Sequence, residues 1–241
     1  MKPILSLLLC LLCAAASATA ATPKDDALLE KAARAYSNRE WASATALYGV
    51  FCDRSPGHPE AYARRVVASE IISDTISSVD AIEEALNAEV EPAAFFDLIR
   101  SEAFAAARPM LVPQVLMRAK ARMPWMGRPI DAALLRFYSF RNDAEATQKY
   151  AESLLNGLPD DTEYLSMLAG SLLAQGKDRE AVEIYERILQ KDPQNFDALI
   201  ILGNYSIDEG QTDKGLQYLR KALQIKPTPA LRKSIESISK Q

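Results

Sequence analysis

Catalysis usually rests on histidine, cysteine, paired carboxylates or clustered cations, and this sequence offers few of them at workable spacing. The single histidine, His58, sits in Ser55-Pro56-Gly57-His58-Pro59, a turn sequence. One imidazole without a cysteine cluster matches none of the usual metal-site spacings. Asp160 and Asp161 adjoin Pro159. Paired carboxylates can share acid–base work, but a turn beside a proline leaves them solvated. Arg118, Lys120, Arg122 and Arg128 enclose Trp125 and Met126. A single-strand nucleic-acid surface needs such groups on one face. Here 28 Lys and Arg stand against 32 Asp and Glu, a net charge of −4, so the expected basic excess is missing. No phosphate-cradling glycine loop occurs. The residues therefore predict no enzyme, no metal, no cofactor and no nucleic-acid partner.

The start of the chain reads as an export signal. Lys2 supplies a positive start, Ile4 to Ala16 is apolar apart from Ser6, and Ala18-Thr19-Ala20 is a small-x-small end. This pattern predicts a signal peptide over 1–20, cut after Ala20, and a periplasmic or secreted protein. The run is short for a membrane span, and no later stretch reaches the roughly 18 apolar residues a span needs. Cys10 and Cys13 raise lipid anchoring in the envelope as an alternative, although both follow leucine rather than a small residue. Removing Lys2 takes the charge from −4 to −5. Cys52 is then the one thiol left. It has no internal partner, and it reads as a small buried residue in preference to a reactive one.

The elements that would position any site follow from a repeat. Leu168-Ala169 recurs as Leu202-Gly203, Gly176 as Gly210, Tyr185 as Leu219 and Pro193 as Pro227, each 34 residues on. Each stretch holds two apolar stripes at helical spacing. A glycine suits the left-handed end of the first helix, Asp178 and Thr212-Asp213 are expected caps for the second, and a proline stops it. Leu165-x2-Leu168-Ala169-x2-Leu172, Ala181-x3-Tyr185 and Pro193 resemble the tetratricopeptide repeat family, and Leu199-x2-Leu202-Gly203 with Gly215-x3-Leu219 and Pro227 repeats the resemblance. Leucine stands in its tryptophan column. Ala32, Trp41 and Ala44-x3-Tyr48 before Pro56 look similar.

Stepping back along the prolines, from Pro193 to Pro159, Pro124 and Pro56, proposes six units: 25–58, 59–92, 93–126, 127–161, 162–195 and 196–229. The resemblance implies an all-α, right-handed superhelical solenoid of antiparallel helix pairs. Its N-terminal units span 25–126, its C-terminal units 127–229, and a capping helix covers 230–241, with Leu231, Ile235 and Ile238 on one face. The stretch 59–126 is degenerate. Val66 and Arg100 stand where a small residue belongs, and Pro109 and Pro113 flank a helix start. Irregular helices joining two short arrays are the alternative there. Ala146-x3-Tyr150 is expected as the motif of the fourth unit, with one residue extra before Pro159.

In the family, the first helix of each unit lines the concave face. That places Tyr36, Phe104, Asp131, Leu135, Tyr138, Met167, Leu173, Ile200, Asn204 and Ile207 there. The set is mostly apolar. Arg64 and Arg128 do not amount to the dense basic clamp that chaperone-tail binders of the family use. The implied function is an adaptor of the envelope or secretory space that holds an apolar or amphipathic segment of another protein in its groove. The alternative is an architectural subunit of an envelope complex that uses its convex or edge surfaces.

Overall fold

The computed structural model describes residues 23–239. The expected leader, its cleavage site, Cys10 and Cys13 lie outside the described residues. Within them the chain forms thirteen α-helices, one short 3-10 turn and no strand. They are α1 (Pro23–Ser37), α2 (Trp41–Arg54), α3 (Pro59–Ile71), α4 (Thr75–Asn87), α5 (Pro92–Ala105), α6 (Leu111–Arg122), the turn η1 (Pro124–Met126), α7 (Gly127–Phe140), α8 (Ala144–Leu155), α9 (Thr162–Ala174), α10 (Asp178–Lys191), α11 (Phe196–Asp208), α12 (Thr212–Ile225) and α13 (Pro229–Ile238). This is a solenoid of antiparallel helix pairs closed by a single helix.

The helices begin and end for local reasons. Asp74, Asp143, Asp161 and Asn195 each accept a backbone N–H at the start of the following helix, which satisfies donors that have no intrahelical partner. Asp178 and Thr212 are not caps as expected. Lys177 and Gln211 hold those positions without a side-chain bond, and Asp178 instead places its charge against the positive end of α10. Pro59, Pro92 and Pro229 open their helices, where a missing N–H costs nothing.

The backbone itself records the repeat. The turn inside each pair contains one residue in the left-handed region: Arg39, Ser73, Ala107, Asn142, Gly176 and Gly210. Their spacings are 34, 34, 35, 34 and 34 residues. The extra residue therefore lies between Ala107 and Asn142, upstream of the α7–α8 turn. This corrects the expected motif of the fourth pair. Its buried positions on α7 and α8, namely Asp131, Leu134, Leu135, Thr147, Ala151 and Leu154, sit 34 residues before Leu165, Leu168, Ala169, Ala181, Tyr185 and Ile188, all buried too. Ala146 and Tyr150 are only half-buried. The motif column is Thr147-x3-Ala151.

Packing is a regular zigzag from α1 to α4 and again from α7 to α12, each helix lying against the next. Between them the order changes. α5 packs on α3, meets its own partner α6 only lightly, and α6 leans on α4 and α7. A reason is Arg100, in the column that needs a small residue. Its guanidinium pairs with Asp97 at 3.1 Å and lies 5.6 Å from the centre of the Phe140 ring, so it turns toward α7 and not α6. The core runs unbroken from α1 to α7 around Tyr48, Phe51, Phe95, Phe96 and Phe137, and a second cluster continues from α7 to α11. On α13, Ile235 is buried and Leu231 and Ile238 pack partly, all against α12 residues such as Leu216 and Leu219.

With its α5 contact light, α6 is tied by ion pairs to other helices. Arg118 reaches the buried carboxylate of Glu70 on α3, which also accepts from the Ser78 hydroxyl of α4. Arg122 meets Asp80 at 2.7 Å and Glu83 at 2.9 Å, both on α4. Lys120 holds Asp131 of α7. Three cations of the basic run, Arg118, Lys120 and Arg122, thus fasten α6 to three other helices. Trp125 remains 73% exposed on η1.

Candidate binding groove

The site is built from the first helices of successive pairs. Between α7 and α9 lies a cavity of about 390 Å³, floored by Ser139, Asn142, Ser166, Met167, Gly170 and Ala174, with Thr147 and Ala144 of α8 at its side. It exists because the side chains are small. A Cβ on Gly170 would meet nothing within 4 Å. Ser166 and Ser171 donate their hydroxyl protons to carbonyls of their own helix, Thr162 and Leu168, each at 2.7 Å. The exposed Ser166 oxygen can therefore still accept from a ligand, while Ser171 is buried.

Outside the cavity lining, an aromatic and cationic group stands between α7 and α5. Phe140, next in the chain to Ser139, is 62% exposed. It contacts Phe104 edge-on at 5.4 Å and carries the Arg100 guanidinium on its face. Asp97 is shared by Arg100 and, at 3.9 Å, Arg136 of α7. Two guanidiniums thus share one carboxylate beside an exposed ring. Further toward the N-terminus, Arg64 donates to Glu102 at 2.9 Å and lies 5.7 Å from the centre of the Tyr36 ring. Burial and the nearby Glu102 carboxylate push the Tyr36 hydroxyl well above the ordinary tyrosine range. These groups are occupied with one another.

The expected groove residues separate into classes. Met167 lines the cavity, and Asn204 is exposed on α11. Phe104 packs on Phe137 and Phe140, Tyr36 on Trp41 and Tyr48, and Tyr138 stacks on Tyr150 at 5.6 Å. Leu173 joins the second core cluster, and Ile200 and Ile207 pack with the α12–α13 cluster. Two expectations are overturned. Leu135 is fully buried in the core, and Asp131 is buried in its pair with Lys120. Neither offers surface to a partner. The cause is the one-residue phase error in the fourth pair, which turns a helix by about 100°. In the corrected phase, Gly170 and Leu173 correspond to Arg136 and Ser139. Asn142 was the available signal: it lies 34 before Gly176 and is a residue that tolerates the left-handed region.

Among the described residues, no cluster of three or more His, Cys, Asp or Glu could hold a metal ion, and no helix is long and apolar enough to cross a membrane. His58 lies edge-on to Phe51 at 5.3 Å, with Glu60 3.8 Å away. Asp160 is paired with Lys191 at 2.8 Å, which holds its carboxyl below the usual range.

Residues 172–234 match the family model of the tetratricopeptide repeat. No curated protein matches the chain. A candidate protein-binding protein from Bacteroides ovatus shares the fold at 16% identity and a TM-score of 0.55, over 70% of this chain and 96% of that one. The C-terminal part of a tetratricopeptide protein from Cytophaga hutchinsonii is similar at 14% identity, TM-score 0.48, over 81% and 78% of the two chains. A tetratricopeptide repeat protein from Parabacteroides merdae is similar at 11% identity, TM-score 0.46, over 92% and 86%. The architecture is thus a tetratricopeptide-type solenoid, a fold that points to protein–protein interaction or a scaffold role.

Proposed function

We propose that the chain is a non-catalytic adaptor of the cell envelope or secretory space that holds a segment of another polypeptide between α7 and α9. The carrying observation is the open floor at Gly170, with Met167 beside it and the exposed Phe140 ring on α7 one residue beyond the cavity-lining Ser139. The ligand segment is amphipathic. Its backbone donors meet the Ser166 oxygen, and its apolar side chains meet Met167 and the exposed Phe140 ring. A carboxylate of the segment suits the Arg100–Arg136 pair. The export reading rests on the sequence from Lys2 to Ala20.

Filling the floor tests the groove. Gly170→Trp puts a ring into open space, so the fold persists by circular dichroism while affinity capture of the partner is lost. Retained capture by a folded Gly170→Trp chain would move binding to the convex or edge surfaces and leave an architectural subunit. N-terminal sequencing of the protein from its native envelope tests export. A start at Met1 would overturn it.

A further inference from the structure

The last two helices carry a charge asymmetry that is independent of the groove. From Lys214 to Ile235 there are six cations, Lys214, Arg220, Lys221, Lys226, Arg232 and Lys233, and no carboxylate, with Asp213 of α12 and Glu236 of α13 at its two borders. The rest of the chain holds 22 of the 28 cations against all 32 carboxylates, a net −10. All six cations are exposed, and none forms an ion pair among the described residues. In α3 to α7 most cations are paired instead, Arg128 excepted: Arg64, Arg65, Arg100, Arg118, Lys120, Arg122 and Arg136 are drawn into ion pairs.

The chemistry of the patch selects the partner. Four of the six are lysines, compact hydrated point charges that suit a diffuse anionic field. Directed pairing with carboxylates of a peptide favours the planar fork of arginine. The cations are distributed along α12, its C-terminal turn and α13 and do not line one cleft. Ile225, 41% exposed, sits between Lys221 and Lys226 in the chain, while the apolar residues of α13 are turned onto α12. We propose that this end of the solenoid docks on an anionic lipid surface, the cations meeting headgroups and Ile225 resting at their level. The acidic remainder is repelled by the same surface, so contact is end-on and the groove between α7 and α9 stays free.

Vesicle flotation tests this with the full chain, using phosphatidylcholine alone and phosphatidylcholine with one-third phosphatidylglycerol. The chain binds the anionic vesicles, and added salt weakens it. Lys226→Glu/Arg232→Glu/Lys233→Glu lowers that binding by more than roughly tenfold. Lys149→Glu/Lys177→Glu/Arg179→Glu, with the same change in net charge, lowers it by less than about twofold. Circular dichroism checks the fold of each variant. If the C-terminal triple reversal does not fold, the glutamine variants at its three positions give the same ordering. Equal binding to both vesicle types, or equal loss in both triple variants, overturns the proposal. So does binding of soluble polyglutamate without preference for anionic vesicles, which assigns the patch to an acidic polypeptide. Partner capture through Gly170 reads the groove separately.

Discussion

Lys120 on α6 places its ammonium 2.6 and 2.8 Å from the two carboxylate oxygens of Asp131 on α7. This pair spans η1, the 3-10 turn between α6 and α7, in the stretch that holds the one extra residue of the array. Asp131 occupies the column that Leu165 fills one pair later. A charge stands where the next two pairs bury Leu165 and Leu199, and it persists because α6 brings a cation to it.

Removing one partner exposes the cost. Asp131→Asn should lower stability by about 1–3 kcal/mol, since a buried partner loses its charge-assisted bonds while the Lys120 head keeps partial access to water. Lys120→Met with Asp131→Leu should recover much of that loss. Urea denaturation of the three variants measures it. A single variant as stable as the parent would show that the pair carries no tension across the joint.

Leu135 and Phe140 are five residues apart on α7 and point to different sides of it, so their roles differ. Leu135→Ala should cost about 2–5 kcal/mol, because a fully buried side chain leaves a cavity. Phe140→Ala should change stability little and weaken capture of the partner, as loss of an exposed aromatic at a binding rim does. The melting temperature and the captured fraction together separate the two. The reverse pattern would place Leu135 in the groove after all.

Backbone approach sets a third outcome. A Cβ on Gly203 would lie 2.6 Å from Leu219 Cδ2 and 3.3 Å from the Gly215 carbonyl oxygen, so Gly203→Ala should destabilise by about 1–3 kcal/mol. Gly170→Ala meets open space and should stabilise by roughly 0.5–1 kcal/mol, the helix penalty of glycine being removed. Ala107, at φ 58°, is strained by its Cβ, and Ala107→Gly should gain up to about 1 kcal/mol. Chemical denaturation midpoints rank the three.

Cys52 is buried on α2, and burial pushes its thiol up to about 12 from the model-compound value of 9.0. The native chain should therefore resist an aromatic disulfide reagent near neutral pH and react on unfolding. The sign of the linkage follows. The unfolded thiol ionises first, so its contribution to stability is full below pH 9 and is lost as pH rises toward 12. Tyr62, raised to about 12 by burial, acts in the same direction above pH 10. A melting temperature that stays flat between pH 9 and 11 would contradict the burial of both groups.

The sequence by itself determined the helix-pair architecture, because Gly176 and Gly210, Ala169 and Gly203, and the phased prolines each answer a strong local demand: a left-handed turn, a close helix crossing, a helix stop. It determined that α13 would cover the end, from the spacing of Leu231, Ile235 and Ile238. Only the tertiary structure decided the register of the fourth pair. There the sizes at two facing columns are exchanged, Leu135 with Ala151 in place of Ala169 with Tyr185, so total volume is kept while the expected pattern of residue types disappears. Proline spacing could not locate the extra residue, since Pro124 to Pro159 is the same length wherever it lies. The structure also decided what Arg118, Lys120 and Arg122 are for. Their carboxylate partners Glu70, Asp131, Asp80 and Glu83 are mostly far away in sequence, and charges distant along the chain find one another only once α3, α4, α6 and α7 have packed.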